Sequence, residues 1–288
     1  MLLVADSGST KADWILTLPD KRTISFRTNG FNPFFVSEKD IIKAFQNTPE
    51  IHPYTEQVSE VYFFGAGCSS PDKRELISNA LSKIFKNAFV SVDIDVIASI
   101  YATVGTSQGI CCILGTGSNV TYFDGRKIQE SKHGLGYALG DEGSGTYFGK
   151  KLVTGFLYET MPSDLRESFD KKFNIDKELI IKKIYKESYP NFYLASFSPF
   201  MTEHKNHPYI QELLRTGFNE FIDTILESYP DASKHTCHFV GSIAYHFEDI
   251  LRECCEAKNI STGKILKHPI EELSAFIYQN GDKLVREF

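Results

Sequence analysis

The feature that most constrains this chain is a hairpin pattern that occurs twice. Leu2–Ala5 is a short apolar run that ends in Asp6-Ser7-Gly8-Ser9-Thr10 and resumes from Ala12 to Leu18. Ile110–Leu114 is a second such run. It ends in Gly115-Thr116-Gly117-Ser118-Asn119 and resumes as Val120–Phe123 before an Asp124-Gly125 turn. Apolar run, Gly/Ser-rich turn, apolar run reads as a β-hairpin. Sliding the sequence by 109 positions lays the first turn, from Asp6, on the second, from Gly115. A repeat at this distance predicts two related units. The length of 288 residues agrees, since a domain takes roughly 150 residues.

The rest of the chain interleaves strands and helices, which makes the class α/β. Strands are expected at Lys21–Arg27, Val58–Gly65, Phe89–Ile94 and His238–Val240. Helices are expected after Ser37 and Ser70, over Val96–Val104, from Asp141 through Leu157, and over Leu179–Tyr185, Tyr209–Tyr229, Phe247–Ala257 and Ile270–Tyr278. The apolar positions recur at helical spacing in each. The clearest boundary falls near Ser107–Gly109, where the second hairpin begins. The expected division is 1–107 with a returning helix at 270–288, and 108–269.

Composition narrows the function. Lys and Arg number 31 against 37 Asp and Glu, a net charge of −6. That balance argues against a nucleic-acid partner, which calls for a basic face. No stretch is apolar enough to span a bilayer, and the start MLLVADSGST lacks the basic n-region of a secretory signal. The six cysteines, at 68, 111, 112, 237, 254 and 255, include two adjacent pairs without C-x-x-C spacing. They read as reduced, buried thiols of a cytoplasmic protein. His133, His204, His207, His235 and His238 form no metal-ligand pattern. The aromatic stretch Tyr189–Phe200 reads as an interdomain or dimer surface.

Paired Gly/Ser/Thr turns suit a polyphosphate, because glycine admits close backbone approach and successive N–H groups can point at anionic oxygens. Hydroxyls of Ser7, Ser9, Thr10, Thr116 and Ser118 add donors. Neither the Walker pattern nor G-x-G-x-x-G is present. Asp6 beside such a turn suits Mg²⁺ held through water, or simply initiates the turn. The run from Gly134 to Gly145 is dense in glycine, as a backbone approaching a ligand would be. Within it, Asp141 either faces that ligand or caps the following helix.

D-x-G-x-T-K from Asp6, L-G-T-G-S-N from Leu114 and L-G-D-E-G-S-G from Leu139, together with an Asp-bearing helix start, resemble the BadF/BadG/BcrA/BcrD-type ATPases and N-acetylglucosamine kinases of the actin-like superfamily. The resemblance runs from Asp6 to the Gly241 region. It implies two ribonuclease-H-like domains with a nucleotide cleft between them, and ATP-dependent phosphorylation of an N-acetylated amino sugar, N-acetylglucosamine first, at its 6-hydroxyl. By the same resemblance ATP is held by Ser7, Gly8, Ser9, Thr10, Lys11, Gly115, Thr116, Gly117, Ser118, Asn119, Gly241 and Ser242. Asp95 is the catalytic base, with Asp93 a near competitor. The sugar is contacted by Asn32, Asp95, Gly134, Leu135, Gly136 and Asp141, Mg²⁺ by Asp6 through water, and a homodimer is implied. Two departures stand out. Leu135 occupies a position where the sugar kinases commonly carry Trp, and Gly241-Ser242-Ile243-Ala244 is poorer in glycine than the usual adenosine turn. Two rival functions share the motifs. One is an ATPase that activates a partner enzyme, which would need paired cysteines for an iron–sulfur cluster. The other is a non-catalytic sugar or nucleotide sensor.

Overall fold

The computed structural model describes residues 1–8, 11–129, 134–229 and 232–284. It divides into two compact units, Met1–Gly105 with Pro269–Phe288, and Thr106–His268.

In the first unit, β1 (Leu2–Ser7), β2 (Lys11–Thr17), β3 (Thr23–Asn29), β4 (Glu60–Gly65) and β5 (Phe89–Ile94) form one sheet in the order β3-β2-β1-β4-β5. β1 pairs antiparallel with β2 and parallel with β4; β4 pairs parallel with β5. β1 is continuous apolar sequence because it lies in the middle of the sheet and is covered on both faces. Trp14 of β2 is fully buried and meets Phe26 face to face and Phe45 edge-on at 5.9 and 5.1 Å. Its indole N–H donates to Thr28 Oγ1 at 2.9 Å, so the ring brings no unpaired polar atom into the core. α1 (Glu38–Gln46) starts on Ser37 with a full capping box to Asp40. α2 (Pro71–Ile84) starts with proline in its first turn. α3 (Asp95–Thr103) follows β5 directly, and the final helix, Ile270–Leu284, packs against it with Phe276 stacked on Tyr101 at 4.8 Å.

The second unit repeats the plan. β6 (Gly109–Leu114), β7 (Ser118–Phe123), β8 (Ile128–Gln129), β9 (Cys237–Val240) and β10 (Thr262–Leu266) form a sheet ordered β10-β9-β6-β7-β8. Read from the other edge, this is the first sheet's order and sense of pairing. Between β8 and β9 come α4 (Gly136–Leu139), α5 (Gly145–Leu157), α6 (Ser163–Phe173), α7 (Lys177–Tyr185), α8 (Pro190–Ala195), α9 (Pro199–Glu203) and α10 (Pro208–Phe221). α11 (Ser242–His246) and α12 (Glu248–Ala257) lie between β9 and β10.

Several expectations change. The hairpins are offset by 107 positions rather than 109, since the last paired residues are Ser7–Ala12 and Leu114–Ser118. Gly8, not Asp6, therefore corresponds to Gly115, and the first turn is one residue longer. The expected Tyr209–Tyr229 helix stops at Phe221 and continues as a π turn, Ile222–Leu226. The Tyr189–Phe200 stretch is not mainly a surface. Leu194, Phe197 and Phe200 are buried in this unit's own core, where Phe197 and Phe200 meet the Phe169 ring at 5.7 and 5.0 Å. All six cysteines are buried and none is in a disulfide. Burial pushes the Cys68 and Cys255 thiols up to about 12.

Candidate active site

In the first unit the chemistry gathers at the carboxyl ends of three neighbouring parallel strands, the usual ligand-binding edge of such a sheet. Ser7, Gly65 and Ile94 are level in β1, β4 and β5. That register brings together Asp6, the loop after Gly65, and Asp93 and Asp95. Asp6 is pushed up to about 7 by burial first, then by the charges of Asp95 and Asp13, with Lys11 opposing. Asp95 opens α3, its carboxylate accepts the Val96 N–H at 3.0 Å, and burial raises its pKa. Burial also raises Asp93, against Arg74. Carboxylates held this way favour a bound cation or a bound proton.

Asn32 sits beside this cluster. Its Oδ1 accepts the Phe34 N–H at 3.0 Å, and its own carbonyl accepts the Phe35 and Val36 N–H groups. A Cβ at Gly67 would fall 2.5 Å from Asn32 Oδ1, so only glycine lets the post-β4 loop lie against it. Ser7 is buried, accepting the Phe31 N–H at 3.0 Å and donating to the Gly8 carbonyl at 3.3 Å. The expected phosphate donor thus anchors the Asn32 loop. Gly8 donates its N–H to the Lys11 carbonyl at 3.0 Å, and Lys11 Nζ lies 3.5 Å from Asp13. Ser9 and Thr10 lie outside the described residues.

In the second unit the Gly115–Gly117 turn is the centre. Gly115 N–H donates to the Gly117 carbonyl at 3.0 Å. Gly145 and Thr146, at the start of α5, donate their N–H groups to the carbonyls of Gly115 and Thr116 at 2.8 and 3.0 Å. Asp141 does not cap α5; Ser144 does, accepting the Tyr147 N–H. Asp141 instead adopts φ +60° and accepts the Ser118 N–H at 3.2 Å, with its carboxylate against the Gly117 α-carbon. Burial raises Asp141, with the Ser118 N–H and Lys150 opposing. The Ser118 hydroxyl is buried with no partner among the described residues. Asn119 points its Oδ1 to the Thr121 hydroxyl, back along β7. Gly241 has φ +129°, and a Cβ there would lie 2.3 Å from the Leu114 carbonyl oxygen and 2.9 Å from Gly115 N. Its glycine is required for β9 to pass the turn, and Ser242 begins α11 beside it.

Gly134 and Gly136 take φ of +135° and +70° around Leu135, which is 65% exposed. The structure thus brings Asp6, Asn32 and Asp95 together in one unit and Gly115–Ser118, Asp141 and Gly241 together in the other. Gly67, Gly145 and Thr146 were missed. Gly67 had only the Gly65-Ala66-Gly67 spacing to mark it, and Gly145 closed a run already marked by its glycine content. A separate cavity of about 720 Å³ is walled mainly by apolar side chains, among them Val153, Leu157, Ile180, Ile184 and Leu194, with Lys150 and Lys177 also lining it. Among the described residues no three His, Cys, Asp or Glu side chains are grouped to hold a metal. Nor is any described helix long and apolar enough to cross a membrane.

Two α/β units of one topology, each with a glycine turn between its first two strands, define the actin-like ATPase fold. A provisionally assigned N-acetylglucosamine kinase from Porphyromonas gingivalis is 34% identical, with 98% of this chain and 100% of that one aligned at a TM-score of 0.90. The chain belongs to this N-acetylglucosamine kinase-like family. A second provisionally assigned N-acetylglucosamine kinase, from Chromobacterium violaceum, shares the fold at 16% identity, covering 96% and 98% of the chains with a TM-score of 0.67. A glucokinase of the ROK family from Streptomyces griseus, solved with glucose and AMPPNP, shares it at 13% identity, covering 96% and 99%, with a TM-score of 0.57. No family model matches the chain, and no curated protein matches it significantly.

Proposed function

We propose that this protein is an ATP-dependent sugar kinase that phosphorylates an N-acetylated amino sugar, N-acetylglucosamine first, at its 6-hydroxyl. The observation that carries this reading is the partly buried, mutually interacting carboxylate pair Asp6 and Asp95 at the strand ends, with Asn32 alongside. A sugar hydroxyl is a weak nucleophile at neutral pH. Asp95, raised by burial, suits the proton's acceptor, since a base works best when its pKa lies nearer the working pH. The hydroxyl oxygen attacks the γ-phosphorus, its proton passes to Asp95, and ADP leaves. Asn32 orients the sugar through a side chain whose Oδ1 is already fixed by Phe34 N–H.

The Gly115–Gly117 turn with Gly241 takes the nucleotide. A backbone pinned by Gly145 and Thr146 needs little reorganisation to meet a phosphate. Asp6, whose hard oxygen donors lie near the charges of Asp95 and Asp13 with Lys11 opposing, would hold Mg²⁺ through water. When bound, Mg²⁺ neutralises charge developing on the transferring phosphoryl group. Six buried cysteines outside any disulfide suit the reducing cytoplasm, and a homodimer goes with the family. The activator reading is disfavoured, because Cys111 and Cys112 are core residues of β6.

The test is a coupled ADP-release assay across a sugar panel, with wild type and Asp95→Asn. Amino-sugar-dependent turnover lost in the variant is the expected result. ATP hydrolysis indifferent to every sugar would remove the assignment.

A further inference from the structure

The apolar cavity of the second unit has no part in the chemistry above. α5 lines it with Lys150, Val153, Thr154 and Leu157, and α7 with Lys177, Ile180, Ile181 and Ile184. Each set follows the i, i+3, i+4, i+7 spacing of a single helical stripe. α8 packs against both helices, and so closely on α5 that a Cβ at Gly149 would fall 1.9 Å from the Leu194 carbonyl oxygen. The two stripes line a space of about 720 Å³, within the size range of small-ligand pockets. Ile181, Tyr158 and Tyr185 on its lining are 41, 78 and 80% exposed, so solvent reaches it. No Asp or Glu among the described residues lines the cavity; its charged groups are the two lysines. Lys150 is engaged, since Nζ donates to the Tyr137 carbonyl at 2.7 Å and its charge acts on Asp141. Lys177, the first residue of α7, is exposed and makes no ion pair among the described residues. The carboxylate of its neighbour Asp176 is turned to the Leu179 N–H at 2.7 Å.

We propose that this cavity binds a small amphipathic carboxylate, with an unbranched acyl chain along the aliphatic walls and the carboxylate on Lys177. Valine, leucine and isoleucine side chains offer area without a directional partner, which suits a saturated chain, and the lysine supplies the one contact that fixes its orientation. A cationic amphiphile would meet two like charges and no counter-charge on the lining. A neutral one would gain nothing from the ammonium. Neither Lys177 nor Ile181 belongs to the sugar or nucleotide residues above, so binding here is independent of phosphoryl transfer.

The experiment is isothermal titration of the full chain with octanoate, nonanoate and decanoate, and with octylamine and 1-octanol. It is run on wild type, Lys177→Met and Ile181→Asp, with a thermal melt of each. Wild type should bind one acid per chain, about fourfold tighter for each added methylene, the transfer value of one buried CH₂, and should bind octylamine more weakly than octanoate. Lys177→Met should weaken octanoate about three- to tenfold, between an exposed ion pair and a hydrogen bond to a charged group, and leave 1-octanol unchanged. Ile181→Asp, at an exposed position, should weaken the acids and not octylamine. Absence of acid binding to wild type overturns the proposal, as does octylamine binding as tightly as octanoate or a Kd for octanoate that does not change in folded Lys177→Met. Uptake of several acids per chain overturns it in favour of non-specific adsorption. Octanoate binding that disappears as the protein is concentrated through self-association overturns it in favour of a second copy of the chain on this face. The wild-type series decides alone if either variant fails to fold.

Discussion

Gly115→Ala separates the ligand-facing side of the second turn from its structural side. A Cβ built on Gly115 meets no atom within 4 Å, and the residue does not occupy the left-handed region. Its backbone stays pinned from both directions, by its own N–H to the Gly117 carbonyl and by the Gly145 N–H on its carbonyl. The added methyl therefore costs the folded chain almost nothing, while alanine narrows the unfolded ensemble. The net change should lie between zero and about +1 kcal/mol in favour of folding, a rise in Tm of no more than about 4 °C. The methyl projects into the space we assign to the nucleotide phosphates. Losing one charge-assisted backbone hydrogen bond there costs about 1.5–3 kcal/mol, which raises Kd for nucleotide roughly 10- to 200-fold. Isothermal titration with ADP and a thermal melt without ligand measure the two effects on one preparation. Nucleotide affinity within threefold of wild type at unchanged Tm would refute the placement of the phosphates at this turn.

Gly241→Ala sits in the same cluster and should behave oppositely. Its Cβ would overlap the Leu114 carbonyl at 2.3 Å in a left-handed backbone, so a loss of about 2–5 kcal/mol is expected from strain and overpacking; an unchanged urea midpoint would contradict this. Asp95→Asn should lower kcat by about 10²–10⁴ with thermal stability retained, read by ADP release and melting together. Asp6→Asn should raise Tm at pH 8 but hardly at pH 4, while abolishing turnover. Asp6 holds its proton up to about 7 when folded against an ordinary 3.8, so its contribution favours folding below pH 4 and is withdrawn as pH rises from about 4 to 7. The full cost at pH 8 is at most about 4 kcal/mol, and an Asn effect on Tm equal at both pH values would sink this account.

Much of the architecture was legible because it rests on local signals. Apolar runs broken by glycine-rich turns marked both hairpins, and Ser37 and Ser70 marked two helix starts. β10 was not legible: Thr262-Gly263-Lys264-Ile265-Leu266 has little apolar pattern, and it is a strand because β9 offers it an edge. The Tyr189–Phe200 stretch misled for a related reason. Aromatic content does not say which way a ring faces, and Phe169 lies a loop and a helix away in sequence.

Among the site residues, glycine density pointed to Gly134–Gly145, the turn after an apolar strand to Asp6, and the family resemblance to Asn32 and Asp95. The duties of Asp141 and Ser7 were not readable. Both side chains accept backbone N–H groups, Asp141 from Ser118 and Ser7 from Phe31, across 23 and 24 residues. Composition and pattern report what one segment prefers on its own.

Sequence alone settled that the chain is α/β with a repeated hairpin, because strand and turn preferences act over a few neighbouring residues. Tertiary structure alone decided that Gly67 backs Asn32, that Gly241 lies on the Gly115 turn, and that Asp6 feels Asp95. Those are encounters between distant segments, whose energies depend on burial and separation in space, and neither quantity is written in the order of the residues.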